Sequence, residues 1–327
     1  MKRLNELFDI DNDMKIYSIH SDSRYVKPYF IFFCIEGLSV DGHRYVDDAI
    51  FQGAKVIVHS KDIEKQPGII YIKVADALDE LNRVSNVFYD YPSKKMRVVG
   101  VTGTSGKTVV ASMVKSVMDH YCKAAYMGTI SLEYDGVEEQ CPYTTPETLY
   151  VQKKLFDMAR RGVKVVAMEA SSHGLAIKRI DAVDFNIAVL TNISDEHLDF
   201  HGTRRQYIES KKKLFSMLST NSIAVLNKDE EVFAEFKAAT KARIMTYGIK
   251  NESEIMAKNI ELYIDHSEFD LSLKGNLYHI VCPTIADFNI FLSLAGAISA
   301  RLIAVNKPIG TPIQIARKTP TIEVKIT

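Results

Sequence analysis

The stretch GVTGTSGKT, residues 100–108, decides the fold because it joins an apolar run to a helical pattern. The preceding residues RVV, 97–99, are typical of the start of a buried strand. Apolar residues then recur at helical spacing at Val109, Val110, Met113, Val114, Val117, Met118 and Tyr121. A glycine-containing loop between a buried strand and a helix N-terminus favours a bound anion, since backbone N–H groups point at it.

The sequence of this loop differs from the usual phosphate-loop pattern at one position. That pattern has a glycine six positions before its lysine, where this sequence has Val101. The physical requirements are still met, because Gly103 and Gly106 let N–H groups approach an anion, while Lys107 supplies a positive charge. The hydroxyl of Thr108 could reach a magnesium ion. An ordinary glycine-containing turn is the alternative.

Length and composition limit the classes of protein to consider. The chain has 327 residues, enough for two domains, and its 41 basic residues equal its 41 acidic residues. This balance does not favour a nucleic acid or membrane partner. The four cysteines form no CxxC pair, which argues against a zinc site or a disulfide scaffold. We also recognise no secretory leader or membrane span, so the sequence predicts a cytoplasmic protein.

The hydrophobic patterns predict an α/β protein with two domains and a short final segment. Residues 1–95 read as a small α/β domain, with strand patterns near 17–24, 29–37, 54–60 and 69–74. Residues 96–318 alternate strands with helices, which predicts a mostly parallel sheet with ligands at the carboxyl ends of its strands. Residues 257–283 alternate with period two and predict an appended antiparallel edge. A last helix is predicted near residues 290–302.

Polar residues follow the predicted parallel strands. Glu169 ends the run VVAMEA, where its carboxylate could coordinate magnesium. The stretch AVLTNISDEHLDFHG ends the next predicted strand and contains Asn192, Asp195, His197, Asp199 and His201. On spacing alone, His197 is a metal ligand or equally a hydrogen-bonding structural residue. Thr144 and Thr145 are hydroxyls for an anionic ligand, or the cap of a helix beginning near Pro146.

Five ordered motifs resemble the Mur ligases. They are GTSGKT (103–108), YTTPET (143–148), MEASSHGLAIKR (168–179), TNISDEHLDFHGT (191–203) and YIESKKKLF (207–215). Their order and spacing are similar to the MurE type, which adds the third amino acid to UDP-N-acetylmuramoyl-L-alanyl-D-glutamate. Residues 22–58 look like the uridine-nucleotide domain of that family, so the resemblance spans nearly the whole chain. Members of the family carry this shortened form of the phosphate loop.

The resemblance implies a ligase in which ATP phosphorylates a carboxylate and an amine then attacks the acyl phosphate. Two unit negative charges ~4 Å apart repel by about 4 kcal/mol at an effective dielectric constant of ~20, so cations are needed. By similarity, Lys107 would hold the β and γ phosphates, and Thr108, Glu169 and His197 would bind Mg²⁺. The expected ATP contacts are Gly103, Thr104, Ser105, Gly106, Lys107, Thr108 and Asn289.

Lys211 has two conflicting interpretations. Composition alone predicts that ESKKKLF is a solvated helix face. The family pattern instead places a lysine four residues after a tyrosine, here Tyr207, and that lysine is carbamylated by carbon dioxide. By similarity, Lys211 would therefore become an anion that helps to hold a second magnesium ion.

The resemblance also implies which residues bind the muramoyl-dipeptide. Its carboxylates would contact Thr144, Thr145, Ser171 and Arg179, while the uridine would lie near Ser23, Arg24, Leu38, Ser39 and Val40. Ile177 and Tyr143 depart from the glutamine and asparagine common in the family. Each hydrogen bond lost in this way typically costs about 0.5–1.5 kcal/mol. Ala286 and Leu292 likewise depart from the late motif that contains Asn289.

The sequence leaves the completeness of the catalyst open. Family members continue into a third domain that binds the incoming amino acid, and residues 319–327 lie where the linker to it would begin. We expect a shortened chain, a partner that supplies this domain, or a protein that has lost ligation. The alternatives are a related ligase with another carboxylate substrate, a non-catalytic nucleotide- or precursor-binding protein, and an ordinary phosphate-loop hydrolase.

Overall fold

A computed structural model describes residues 1–37, 40–273, 275–282, 290, 293–296, 299 and 322–323. The chain divides into two compact units. The first, here the amino-terminal unit, comprises Met1–Pro92, Glu147–Asp157 and Lys178–Val183. The second, the central unit, comprises Ser93–Pro146, Met158–Ile177 and Asp184–Thr327. Two later segments of the chain thus belong to the amino-terminal unit. The predicted domain boundary at residue 95 does not include them.

In the described part of residues 1–92 there are four parallel strands and three helices, with a short antiparallel strand pair at the start. Their bounds are β1 (Lys2–Arg3), α1 (Leu4–Leu7), β2 (Lys15–Ile16), β3 (Ser18–His20), β4 (Phe30–Phe33), α2 (Val46–Phe51), β5 (Val56–His59), β6 (Ile70–Lys73) and α3 (Ala77–Phe88). The parallel sheet has the order β3-β4-β5-β6. The predicted small α/β domain is confirmed, whereas β1, α1 and β2 were not predicted.

Burial explains why β4 and β5 form the centre of this sheet. Ile31 and Phe33 pack into one apolar cluster, and Phe32 packs into a second cluster with Ile57. Because successive side chains of a strand point to opposite faces, each face of the sheet is covered by its own cluster. Asp76 begins α3 by accepting the N–H groups of the next turn, from Leu78 and Asp79.

From residue 93 onward, strands alternate with helices. The bounds are β7 (Arg97–Thr102), α4 (Lys107–Asp119), β8 (Ala124–Met127), β9 (Leu132–Tyr134), β10 (Val137–Glu139), α5 (Thr148–Arg160), β11 (Val165–Glu169), α6 (Ser172–Ala176), β12 (Ile187–Leu190), α7 (Leu198–His201), α8 (Arg204–Ser216), β13 (Ile223–Asn227), α9 (Phe233–Ala238), β14 (Arg243–Gly248), β15 (Ile255–Leu262), β16 (Ser267–Leu273), β17 (Asn276–Cys282) and β18 (Ile322–Glu323).

Within the described residues, the strands of the central unit form a sheet of twelve, in the order β10-β9-β8-β11-β7-β12-β13-β14-β15-β16-β17-β18. The strands from β8 to β15 in this order are parallel, and β16 pairs antiparallel with both β15 and β17. The predicted mostly parallel sheet with an antiparallel edge is therefore confirmed. A second antiparallel edge, formed by β8, β9 and β10, was not predicted because its strands are too short for a clear alternation.

Strand order brings three loops together at one edge of the sheet. β7 lies between β11 and β12, and β8 follows β7 in sequence but lies beyond β11. The chain thus changes direction next to β7, which is where open α/β sheets bind ligands. The register places Glu169 beside Val101 and Leu190 beside Thr102, so the three strands end at the same level.

Helix α4 corrects part of the predicted apolar face. Its buried residues are Val110, Ala111, Val114 and Met118, whereas Val109 is 40% exposed and Tyr121 is 44% exposed. The helix ends at Asp119, so Tyr121 lies beyond its regular face. The described residues of the predicted final helix, at 290, 293–296 and 299, are helical. In the part of the chain described, we find no helix of the length and apolarity needed to cross a bilayer.

Candidate functional site

The loop between β7 and α4 is shaped by close approach to the segment after β12. Gly103 has a φ of +149°, and a Cβ there would lie 1.8 Å from Thr191 Oγ1, so only glycine fits. Thr104 N–H donates to the Asn192 carbonyl at 2.8 Å, and Thr191 Oγ1 donates to the Ser105 carbonyl at 2.7 Å. These bonds hold the loop open at the N-terminus of α4, as anion binding requires.

Lys107 is the first residue of α4, and its side chain turns back under the loop. Its Nζ donates to the carbonyl of Gly103 at 3.0 Å and to that of Thr104 at 2.7 Å. Burial lowers the pKa of Lys107, while the nearby Glu169 opposes this effect. Gly106, with φ +82°, provides the sharp entry into the helix. The amine of Lys107 is therefore held against the loop backbone, at the N-terminus of α4.

Glu169 ends β11 and is 1% exposed. Its Oε1 accepts hydrogen bonds from Thr108 Oγ1 at 2.9 Å, Tyr126 OH at 2.6 Å and the Thr129 N–H at 2.9 Å. A Cβ on Gly128 would lie 2.2 Å from this oxygen, so the loop after β8 packs directly on the carboxylate. The loops after β7, β8 and β11 thus meet at one carboxyl group.

The surroundings of the Glu169 carboxylate suit a divalent cation. Its second oxygen, Oε2, accepts from Thr129 Oγ1 at 3.1 Å, so every partner described for this carboxylate is a neutral hydroxyl or N–H. A buried carboxylate normally needs a positive partner, and Mg²⁺ commonly takes one or two carboxylates with phosphate and water oxygens. Among the described residues there is no cluster of three or more His, Cys, Asp or Glu side chains able to hold a metal. Ligand and water oxygens would have to complete the coordination.

Lys211, on α8, is 1% exposed and reaches the same loop. Its Nζ donates to the Gly103 carbonyl at 2.7 Å, the acceptor that Lys107 also uses, and lies 4.5 Å from the ring centroid of Tyr207. Burial, together with the charge of Lys107, lowers the pKa of Lys211 to about 7. The prediction of a solvated face from composition is wrong for Lys211. The next residue, Lys212, is half-buried and forms an ion pair with Glu209 at 2.8 Å.

His197 belongs to a cluster of rings after β12. It has a left-handed φ of +55° at the start of α7, and its ring centroid lies 4.7 Å from that of His173 and 6.5 Å from that of Tyr207. Buried His201 lies beside the same two rings, and burial lowers its pKa. Among the described contacts, none joins His197 to Glu169. Metal binding by His197 therefore stays a prediction.

Three of the residues proposed for carboxylate binding make hydrogen bonds near Glu169 or at the start of α6. Thr145 is buried, donates to the Glu169 carbonyl at 2.8 Å and accepts the N–H of Ser171 at 2.9 Å. Ser171 Oγ caps α6 by accepting the Gly174 N–H. Thr144 Oγ1 lies 3.0 Å from Thr129 Oγ1, which in turn donates to the Glu169 carboxylate. Helix α5 begins at Thr148, two residues later than predicted.

Other predicted contacts lie in the amino-terminal unit or outside the described residues. Ser23 is buried in a short 3-10 turn, and Arg24 forms an ion pair with Asp22 at 2.6 Å. Val40 is 55% exposed, and the Arg179 carbonyl accepts from Thr148 Oγ1 at 3.1 Å. The remaining predicted contacts, Leu38, Ser39 and Asn289, lie outside the described residues.

Sequence reasoning missed Tyr126 and Thr129, and it named Asn192 and Tyr207 without predicting the contacts that they make with the loop. Tyr126 and Thr129 surround Glu169, Asn192 binds the loop through both its backbone and its amide, and Tyr207 OH lies 2.9 Å from Thr104 Oγ1. Tyr126 belongs to β8 and Thr129 follows it, so they could have been found only by knowing that β8 and β11 are neighbours. That neighbour relation is a property of strand order, which the apolar patterns do not encode.

The strand, loop and helix around Lys107 define a phosphate-binding α/β protein. Comparison with known families gives the finer assignment. The sequence profile of the Mur ligase middle domain matches residues 101–300, and that of the Mur ligase family catalytic domain matches residues 15–93. The chain belongs to the Mur ligase family.

Individual relatives agree with this assignment. The "UDP-N-acetylmuramoyl-L-alanyl-D-glutamate--2,6-diaminopimelate ligase" of Lactiplantibacillus plantarum is 37% identical over 299 residues, covering 89% of this chain and 60% of the relative. The corresponding "L-lysine ligase" of Staphylococcus haemolyticus is 34% identical over 294 residues, covering 88% and 59%. A solved structure of a diaminopimelate ligase of this name superposes with a TM-score of 0.79 at 24% identity, covering 92% of this chain and 63% of that one. This likeness confirms the fold, and the chain spans about 60% of the length of the curated relatives it matches.

Proposed function

We propose that this chain provides the precursor-binding and ATP-binding parts of a ligase in peptidoglycan precursor synthesis. The reaction joins lysine or diaminopimelate to UDP-N-acetylmuramoyl-L-alanyl-D-glutamate through an acyl phosphate, in the cytoplasm. Residues 1–95 would bind the nucleotide sugar and residues 96–318 would bind ATP, while the incoming amino acid is bound elsewhere. The observation that supports this most is the convergence of Lys107, Thr108, Glu169 and Lys211 at one edge of the sheet.

The geometry suits the meeting of a triphosphate with a carboxylate. Lys107 would exchange its bonds to the loop carbonyls for bonds to the β and γ phosphates, next to the N–H groups of the loop. Thr108 and Glu169 would hold Mg²⁺, and His197 would approach the same ion. When bound, the cation would neutralise charge on the phosphates and the carboxylate. Such positioning and charge neutralisation account for most of the catalysis of phosphoryl transfer.

Lys211 is proposed to be carbamylated. Its amine nitrogen would attack the carbon of CO₂ and lose a proton, giving a carbamate anion on Nζ. This reaction needs the neutral amine, and a pKa lowered to about 7 supplies it near neutral pH. The anion would bind a second Mg²⁺, whereas the ammonium would repel it. A carbamate carbonyl signal in the ¹³C NMR spectrum under ¹³CO₂ should be present in the wild type and lost in Lys211→Met.

The remaining predicted residues are proposed to hold the precursor. Thr144, Thr145, Ser171 and Arg179 would contact its carboxylates. The uridine would lie beside Ser23, Arg24, Leu38, Ser39 and Val40. Tyr143 is 53% exposed and the apolar Ile177 directly follows α6, so neither supplies the side-chain amide of the asparagine or glutamine common in the family.

Binding measurements test this proposal without requiring turnover. Calorimetry should show that the wild-type chain binds UDP-N-acetylmuramoyl-dipeptide, and that it binds the non-hydrolysable analogue AMPPCP more tightly with Mg²⁺ than without. Glu169→Gln should reduce the Mg²⁺-dependent gain by about tenfold or more, since charged hydrogen-bonded groups contribute about 1.5–3 kcal/mol. Exposed Glu138 offers a matched control, because Glu138→Gln should leave both affinities unchanged.

Each alternative function has its own outcome in the same measurements. Failure of the wild type to bind UDP-N-acetylmuramoyl-dipeptide would contradict the proposal and favour a ligase with another carboxylate substrate. ATP hydrolysis that does not depend on the dipeptide would instead indicate a hydrolase. Binding of nucleotide that is indifferent to both Mg²⁺ and Glu169→Gln would indicate a non-catalytic binding protein.

A further inference from the structure

Three oxygen-bearing side chains form a hydrogen-bonded chain beside the site. Glu169 Oε2 lies 3.1 Å from Thr129 Oγ1, which lies 3.0 Å from Thr144 Oγ1. Glu169 is buried, Thr129 is exposed and Thr144 is half-buried. The chain therefore links the buried carboxylate to the hydroxyl of Thr144, which is partly exposed.

The direction of each hydrogen bond follows from the number of hydrogens. An ionised carboxylate only accepts, so Thr129 donates its single hydroxyl hydrogen to Glu169. With that hydrogen committed, the bond between the two threonines is made by Thr144 as the donor. In the absence of a cation, Thr144 thus directs its hydrogen toward Thr129, and its oxygen offers lone pairs to any ligand.

A cation on Glu169 would reverse these directions. The cation competes for Oε2 and repels the Thr129 hydroxyl hydrogen, which then turns toward Thr144. Thr144 becomes the acceptor of that bond, and its own hydrogen becomes available to an anionic ligand. No proton leaves an oxygen, because each hydroxyl only rotates about its C–O bond.

We propose that Thr129 is a positioning residue whose hydroxyl couples cation binding at Glu169 to carboxylate binding at Thr144. The inference deepens the proposed function and rests on it, since it assumes that Glu169 holds the cation and Thr144 the precursor. Coupling between two sites is reciprocal, so each ligand should tighten binding of the other. Thr129 touches neither ligand and acts through the two residues that do.

The backbone of Thr129 makes a selective variant possible. Its N–H bond to Glu169 Oε1, at 2.9 Å, does not involve the side chain and remains in Thr129→Val. Valine keeps the shape of threonine but has no hydroxyl, whereas Thr129→Ser keeps the hydroxyl. Because the side chain is exposed, neither substitution opens a cavity in the core, and thermal melting of both variants checks the fold.

The test measures the affinity for UDP-N-acetylmuramoyl-dipeptide by calorimetry, with and without Mg²⁺·AMPPCP. The ratio of the two affinities is the coupling factor. In the wild type we expect about tenfold, within the usual range of about 5- to 150-fold for coupled sites. Thr129→Val should lower the factor by about threefold or more, and Thr129→Ser should stay within about twofold of the wild type.

A double-mutant cycle separates the hydroxyl chain from direct contact between cation and precursor. Thr144→Val should lower the coupling factor as Thr129→Val does, and the double variant should lower it no further. An unchanged factor in Thr129→Val, or a wild-type factor of one, overturns the inference while leaving the proposed function in place. A wild type that binds no UDP-N-acetylmuramoyl-dipeptide overturns the proposed function itself.

Discussion

An ion pair of the amino-terminal unit and the buried site of the central unit hold charged side chains in different ways. In the amino-terminal unit, Asp41 accepts from Lys61 Nζ at 2.8 Å and from His43 at 2.6 Å, so opposite charges stand face to face. In the central unit, the buried Glu169 and Lys211 are bonded to neutral groups instead. The first arrangement is complete within the protein. The second leaves these buried groups without a bonded counter-ion among the described contacts.

The energetics of the two arrangements lead to different expectations. Exposed ion pairs contribute about 0–1 kcal/mol, so their loss is tolerated. Burying a charge without a counter-ion is costly, and such groups persist where function requires them or where their pKa shifts. We therefore expect substitutions in the central site to change ligand binding and pH dependence strongly, and substitutions of exposed pairs to change little.

The largest effect is expected from Lys211→Met in the pH dependence of stability. The pKa of Lys211 falls from 10.5 to about 7 on folding, so between these values the unfolded chain binds a proton that the folded chain does not. The free energy of unfolding should therefore rise with pH across that window. At 1.36 kcal/mol for each pKa unit, the wild type should gain about 4 kcal/mol between pH 7 and 10 that the variant lacks.

This prediction is measured by urea unfolding in CO₂-free buffer, so that no carbamate forms. The matched control is Lys212→Met, because the half-buried Lys212 has carboxylate partners in Glu209 and Glu235. It should keep the wild-type slope. Equal slopes in Lys211→Met and the wild type would show that the Lys211 ammonium is stabilised by a partner, and the contrast between the two units would fail.

A second effect concerns the loop backbone and is expected from Gly103→Ala. The new Cβ would meet Thr191 Oγ1 at 1.8 Å, and alanine rarely adopts a φ of +149°. Backbone strain of about 1–3 kcal/mol adds to overpacking of about 1–3 kcal/mol, so we expect a loss of about 3 kcal/mol. Gly136→Ala is the control, because its φ is +78° but nothing lies within 4 Å. It should cost about 1 kcal/mol in urea unfolding.

A third effect isolates the charge of the loop, through Lys107→Met. Its side chain makes no described ion pair and donates to two carbonyls of the loop where an anion would bind. A charged hydrogen bond contributes about 1.5–3 kcal/mol, so the affinity for Mg²⁺·AMPPCP should fall by about 10- to 100-fold. The affinity for UDP-N-acetylmuramoyl-dipeptide, measured without nucleotide, serves as the internal control. A similar loss in both affinities would mean that the variant is misfolded.

The order of strands and helices could be predicted from the sequence because burial imposes it locally. Buried parallel strands such as β11 and β12 read as continuous apolar runs that end in polar residues. The short strands β9 and β10 were missed because three residues contain too little alternation to distinguish a strand from a turn. The short length of these strands, more than their composition, made them hard to predict from the sequence.

Prediction of the site reached a different limit. Lys107 and Glu169 are readable because each follows a strand in the linear sequence. Lys211 is not, since nothing in KKK distinguishes the first lysine from its neighbours, and only the family pattern singled it out. Thr129 requires knowing that β8 lies beside β11. Side chains that meet through strand order, rather than along the chain, are invisible to local patterns.

The smallest effect is expected from Lys178→Met in the amino-terminal unit. Lys178 Nζ lies 2.6 Å from Asp79 and 3.1 Å from Asp76, and its side chain is 32% exposed. Solvent screens such pairs, so the free energy of unfolding should fall by only about 0.2–1 kcal/mol and by less in 1 M salt. Asp79→Asn removes one partner without touching the cap that Asp76 provides for α3, and should match Lys178→Met. A loss several times larger, insensitive to salt, would mean that this pair is not solvent-screened and that paired charges also matter for stability.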